Sequence, residues 1–332
     1  MAQFPSKTGP NSGVWTIEDV YNARISDNWP DALFNRGIFS AGLTPVKTNI
    51  MDYVTISTTG NATDFGDLDT DLFSCGSVSN STRGVVGGGG DNANTGVNTM
   101  QYVAIATTGN ATDFGDLNAG TRVNGPAGVS NSTRGIFAGA EGAVPAYTLS
   151  NVIDYITIDT TGNATDFGDL LSARYVMGGT CSTTRGVFAG GNNPATNVIQ
   201  YITIASTGNA TDFGDLNDPR SRIGSGVQSN GTRGLFSGGE VSGAGVNTIE
   251  YITIASTGNA VDFGDLTVAR YSPNGASNSS RCVFMGGADP SASNVMDYVT
   301  IASTGNAVDY GDLSYSTTAG GGGNSNGHGG LS

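Results

Sequence analysis

The sequence predicts an all-β fold, a closed ring of six four-stranded sheets behind a short helix-containing extension. Three observations predict it. A 16-residue segment, Tyr53-Val-Thr-Ile-Ser-Thr-Thr-Gly-Asn-Ala-Thr-Asp-Phe-Gly-Asp-Leu68, returns five more times, starting at Tyr102, Tyr155, Tyr201, Tyr251 and Tyr298. A second run, Arg-Gly-Val-Phe or a close variant, alternates with it from Arg36, Arg83, Arg134, Arg185, Arg233 and Arg281. Each period of 46 to 53 residues holds material for four short strands and none for a helix.

The elements of one period follow in order. A glycine- and serine-rich stretch, such as Ser272-Pro-Asn-Gly-Ala-Ser-Asn278, suits an innermost strand where sheets converge and side chains run out of room. The Arg-Gly-Val-Phe run is β-branched and aromatic and ends in glycine, which makes it the second strand. Tyr-Ile-Thr-Ile alternates and forms the third. Thr-Gly-Asn marks a tight turn, with glycine and asparagine where a hairpin wants positive φ. Ala-Thr-Asp-Phe-Gly-Asp-Leu supplies the outer strand. Its Asp is expected to cap the turn and its Phe to fill the space between sheets.

Four strands per period, six times over, is the arithmetic of a β-propeller. The first arginine run has no glycine-rich strand before it. The last copy is followed by Thr317-Thr-Ala-Gly-Gly-Gly-Gly-Asn-Ser-Asn326, which has no second strand after it. The two ends therefore share one blade, which removes two free edges.

Composition narrows the function. The chain has 332 residues, 52 of them glycine, and a net charge of -14. An acidic surface repels phosphate backbones, so no nucleic-acid partner is expected. One histidine, His328, excludes multi-histidine metal sites and histidine-based acid–base pairs. Cys75, Cys181 and Cys282 share no spacing and read as three buried side chains. No cofactor, no metal and no catalysis are expected. No apolar run is long enough for a membrane helix, so membrane insertion is not expected. The first 13 residues show no charged region followed by an apolar run, so no signal peptide is expected, and synthesis in a cytoplasm is. The Asn-Ala-Thr and Asn-Ser-Thr sequons read as turn chemistry.

Alternating strands put the first and third turns of every blade on one face. The Tyr-to-Leu interval is 15 in all six copies, whereas the Arg-to-Tyr interval ranges from 16 to 21. Length variation therefore falls on the opposite face, where binding usually resides on a rigid scaffold. Its longest loop carries Glu141, Pro145 and Tyr147. On the constant face, the repeated arginines are expected to pair with the repeated aspartates, from Arg83, Arg134, Arg185, Arg233 and Arg281.

Residues 1–34 lie outside the repeat and form an attachment segment, with the propeller over residues 35–332. Trp15-Thr-Ile-Glu-Asp-Val-Tyr-Asn-Ala-Arg24 reads as a short helix, with Thr16 as N-cap and Trp15 and Val20 as a hydrophobic staple. A helix this short needs something to pack on. Trp15, Ile17, Val20, Tyr21 and Trp29 are the residues expected to anchor it to a partner.

Phe236-Ser-Gly-Gly239, Tyr251, Phe263, Leu266 and Arg270, in that order, resemble a blade of the kelch-type propellers, with Phe or Tyr where kelch usually has Trp. Kelch-type oxidases use a copper site with two histidines, which this chain does not supply. Gly13-Val-Trp-Thr-Ile-Glu-Asp-Val-Tyr and Trp29-Pro30 resemble the terminal element of virion structural proteins of tailed phages of marine cyanobacteria. Repeats similar to Tyr-Ile-Thr-Ile-Ala-Ser-Thr-Gly-Asn-Ala-Thr-Asp-Phe-Gly-Asp-Leu also occur in such phages. The resemblance implies a virion component of the tail or adsorption apparatus. Its partners would be other virion proteins, with the propeller face contacting a neighbouring virion protein or a host-surface glycan. A head decoration protein with a purely structural role is the second reading.

Overall fold

The computed structural model describes residues 35–43, 47–91, 96–118, 125–142, 148–288, 290–318 and 321–331. They form six antiparallel blade sheets, and a small two-stranded hairpin of Glu240–Val241 with Ala244–Gly245. From axis to rim, blade 2 comprises Gly76–Ser79, Arg83–Gly87, Thr99–Ala104 and Thr112–Asp116. Blades 3, 4 and 6 repeat that order, beginning at Ala127–Ser130, Gly178–Cys181 and Asn274–Ser277. Blade 1 is the shared one. Gly322–Ser325 pairs with Arg36–Leu43, through Gly37 opposite Ser325 and Ile38 opposite Asn324. The six-bladed propeller and its closure by the two chain ends are as expected.

Blade 5 departs from the pattern in its innermost strand. Gly224 donates to the Ser237 carbonyl, and Ser229 bridges Gly234, as equivalent positions do elsewhere. Between them lie two residues more than in the other blades, and the chain bulges at Ser225 and Gly226 toward blade 6. There the Ser225 amide donates to the Pro273 carbonyl at 3.0 Å, and the Gly275 amide donates to the Ser225 carbonyl at 2.7 Å.

The apolar core lies between blades. Each of six clusters fills a junction, such as Phe65, Leu68 and Leu72 with Val86, Val103 and Ile105 between blades 1 and 2. The repeated Phe of Asp-Phe-Gly-Asp is buried, as expected, and meets the repeated Tyr edge-on at 5.9–6.1 Å. In blade 6 a tyrosine, Tyr310, takes the place of that phenylalanine.

The repeated arginines correct the expectation placed on them. None of the six pairs with a carboxylate among the described residues. Each guanidinium lies over the Tyr ring of its own blade, 4.3–4.8 Å from the centroid. Each also donates to a backbone carbonyl of the next blade, as Arg83 does to Ile158 and Arg134 to Ile204. Each arginine does stand at the turn between the first two strands, on the expected face. It meets a carbonyl there because the aspartates sit farther along the outer strand.

The turn between the third and outer strands is not the tight hairpin the sequence implied. In blade 1 it runs from residue 56 to 62, and Gly60 has φ +153°. The loop leans on the preceding blade. Gly109 donates to the Phe65 carbonyl, Ala111 donates to the Asp67 carbonyl, and the Asn110 Oδ1 accepts from the Asp67 amide. The same three bonds recur at all six junctions. Asparagine, not aspartate, makes the side-chain tie. Gly66 and its equivalents have φ between +136° and +150°, and a Cβ there would overlap the carbonyl of the neighbouring blade's glycine. The outer edge of every blade is thus covered by its neighbour's loop.

At the axis, the last residue of each innermost strand forms a closed hydrogen-bonded ring. Ser79 Oγ donates to the Ser325 carbonyl, Ser130 to Ser79, Cys181 Sγ to Ser130, Ser229 to Cys181, Ser277 to Ser229 and Ser325 to Ser277, at 2.6–2.9 Å. The C-terminal tail closes the axis beside this ring. His328 is fully buried, with Nε2 2.9 Å from the Ser79 carbonyl and Nδ1 accepting from the Gly330 amide. Those partners fix the neutral imidazole with its proton on Nε2. Burial lowers its pKa to about 4.

Candidate functional site

The two faces have different chemistry. On the turn face, Asn80 Oδ1 accepts from the Thr82 and Arg83 amides, and Asn131 holds Thr133 and Arg134 in the same way. The sequon asparagines are therefore turn residues. On the loop face, chains from the outer strand of one blade turn into the innermost strand of the next. The corner residues Ser74, Val176, Arg222 and Ser272 all have φ of 50–51°, and Gly125 has 73°. Five corners so arranged converge around the axis.

Backbone bonds link these corners. Gly125 donates to the Ser74 carbonyl at 2.9 Å, Val176 to Gly125 at 2.9 Å and Ser272 to Arg222 at 2.7 Å. Among the described residues no such bond joins Arg222 to Val176. A cavity of about 30 Å³ opens there, lined by Ser74, Gly125, Val176, Arg222, Ser225 and Ser272 among others. That is room for about one water molecule. Cys75 also lines it, but burial pushes its thiol up to about 12, so it stays protonated and unreactive at neutral pH.

Beside this gap the corner residues carry their most varied side chains. Arg222, 44% exposed, pairs with Glu240 at 3.3 Å and lies over the Tyr271 ring, 5.0 Å from its centroid. Tyr175, from the preceding corner, accepts a hydrogen bond from Asn192 Nδ2 at 3.1 Å, and its hydroxyl lies near the Glu141 carboxylate. Burial raises the Glu141 pKa above the usual carboxylate range. Burial, and then the nearby Glu141 charge, raises that of Tyr175.

No protein-family model and no curated protein sequence matches this chain.

Of the residues the sequence singled out on this face, Glu141 ends the strand Arg134–Glu141 and joins the cluster around Tyr175. Pro145 and Tyr147 lie outside the described residues, as do Trp15, Ile17, Val20, Tyr21 and Trp29. Sequence reasoning missed Tyr175, Arg222, Glu240 and Tyr271. Their signal was a break in the repeat. Arg222 stands where the other corners carry Ser74, Val176 and Ser272, Ser221 replaces the aromatic found at Phe73, Tyr175 and Tyr271, and Glu240 follows the Phe236-Ser-Gly-Gly239 run.

Two fully buried ion pairs lie nearer the core, Arg220 with Glu250 and Arg270 with Asp297. Glu250 and Asp297 each precede the repeated Tyr, and the residue at that position always accepts from the amide that follows the preceding blade's Leu. These pairs are part of the junctions.

Proposed function

We propose that this chain is a non-catalytic structural component of a tailed-phage particle. It is associated with the tail or its fibres and is held through residues 1–34. The propeller, kelch-like in its blade pattern, directs its loop face toward a partner or the host surface. The observation that carries this reading is where the chain enters the ring. Asn35 sits on the turn face, with Oδ1 accepting from the Ser57 amide and from Asn278 Nδ2. An attachment segment ending at residue 34 thus leaves from the face opposite the variable loops. The turn face is uniform from blade to blade, while the loop face carries the variation in length and charge. The resemblance of the repeat and of the Trp15 segment to phage virion proteins supports the setting.

Immunogold labelling of purified particles tests the reading. Label on the tail is expected. Label on the head would favour a decoration protein, and absence from particles would defeat both. The double variant Trp15→Ala, Tyr21→Ala of the full chain should fold as the parent does and fail to incorporate. Normal incorporation of that variant would remove the anchoring role.

A further inference from the structure

We propose that the corner cluster around Arg222 is a saccharide site that takes a neutral sugar through a vicinal diol. It deepens the reading of the loop face as the binding face and rests on it.

Three independent observations converge on one sector of the ring. The first is geometric. The corner-to-corner backbone bonds are interrupted between Val176 and Arg222, and the cavity lies at that interruption. The blade 5 bulge at Ser225 lines the same cavity, so the axis is reshaped there.

The second is chemical. Arg222 Nη1 and Glu240 Oε2 stand 3.3 Å apart and partly exposed. A donor and an acceptor side by side match two adjacent hydroxyls, one accepting from the guanidinium and one donating to the carboxylate. The guanidinium also lies over the Tyr271 ring, which restrains it. The pair is therefore oriented before any ligand arrives, which reduces the ordering cost of binding. Half-buried Tyr175, with its hydroxyl held by Asn192, supplies an aromatic surface for the C–H face of a sugar ring.

The third is charge. Glu141 and Glu240 bring two carboxylates to a site with one arginine, on a chain of net charge -14. An anionic sugar would meet that field, whereas a neutral one would not. The class is therefore neutral hexoses and their oligomers.

Saturation-transfer NMR and calorimetric titration of the full chain test this. The probes are the methyl glycosides of glucose, galactose, mannose and N-acetylglucosamine, with glucuronate and N-acetylneuraminate as acidic comparators. At least one neutral glycoside is expected to bind saturably. Glu240→Gln, which keeps the side-chain shape, and Tyr175→Ala should each raise its Kd at least tenfold while leaving the thermal midpoint nearly unchanged. Three results would overturn the proposal: no saturable binding by any neutral probe, stronger binding of the acidic comparators, or affinity unchanged in both variants. Any of these would leave the particle-labelling result standing, so the two readings fail separately.

Discussion

Arg281, in the last blade, donates to the carbonyl oxygen of Ser57, in the first, at 2.7 Å. Arg83 and Arg134 make the corresponding bond to the blades after them, and across the seam where the chain ends meet it falls one residue farther along, on Ser57 and not Ile56. The other ties recur there too. Gly60 donates to the Tyr310 carbonyl, Asn61 accepts from the Asp312 amide, and Asp52 accepts from the Ser314 amide. The closing junction is built like the other five, so the ring has no seam weaker in kind than the rest.

The facing glycines of the repeat should respond unequally to a methyl group. Gly168 and Gly208 both have positive φ, +148° and +156°, but only a Cβ on Gly168 would overlap its neighbour's backbone. Strain alone should cost Gly208→Ala about 1–3 kcal/mol. Gly168→Ala adds the overlap and should lose clearly more. Chemical denaturation of both variants checks the order, and equal losses would contradict the junction geometry.

Arg134 should act through its planar head. It stacks on Tyr155 and donates to the Ile204 carbonyl at 3.0 Å. Arg134→Ala should destabilise by about 1–3 kcal/mol, combining a stacked cation with a charged hydrogen bond. Arg134→Lys should recover only part of it, because an ammonium group does not stack as a guanidinium does. Full recovery by lysine would show that charge alone matters there.

His328 makes the fold acid-sensitive. Its pKa is about 4 in the folded chain against 6.5 for a free imidazole. Below pH 6.5 the unfolded chain takes up a proton that the native state does not, so this contribution is lost as pH falls from 6.5 toward 4. The loss should amount to about 3 kcal/mol at most. Denaturant midpoints measured between pH 7 and 4 should fall less steeply in His328→Gln than in the parent.

Asp154 acts with the opposite sign. Burial raises its pKa to about 7, and among the described residues its Oδ1 has no hydrogen-bond partner. The protonated form suits the site, so stability is lost as pH rises from about 4 through 7. Gln101 and Gln200 occupy the equivalent position in blades 2 and 4 with a neutral amide. Asp154→Asn should therefore raise the thermal midpoint at pH 8 and leave it nearly unchanged at pH 4. No gain at pH 8 would mean that the carboxylate is accommodated as an anion.

The blade order, the closure and the face carrying the variable loops were all legible in the sequence, because each follows from a period and a count of strands. The junction chemistry was not, although its residues were in plain view. Gly66, Asn61 and Arg83 recur in every copy, but a repeat read as one blade assigns them to turns within it, and their partners belong to the next. His328 was hidden for another reason. A lone histidine among glycines looks like a solvated tail, and only the fold shows those glycines to be the small residues that let the tail enter the axis. At Gly329 and Gly330 a Cβ would overlap the backbone of blades 5 and 3. The Arg222 cluster was legible only as an irregularity, since the corner loops bring together residues far apart in the chain.

The covering of each outer strand by its neighbour's loop has a consequence for crowding. Phe65 and Asp67 spend their outward carbonyls on Gly109 and Ala111, and every blade does the same. Discs with such rims can stand side by side at high local density without stitching into fibrils, so any association between copies must come from side chains, where salt and substitution can tune it.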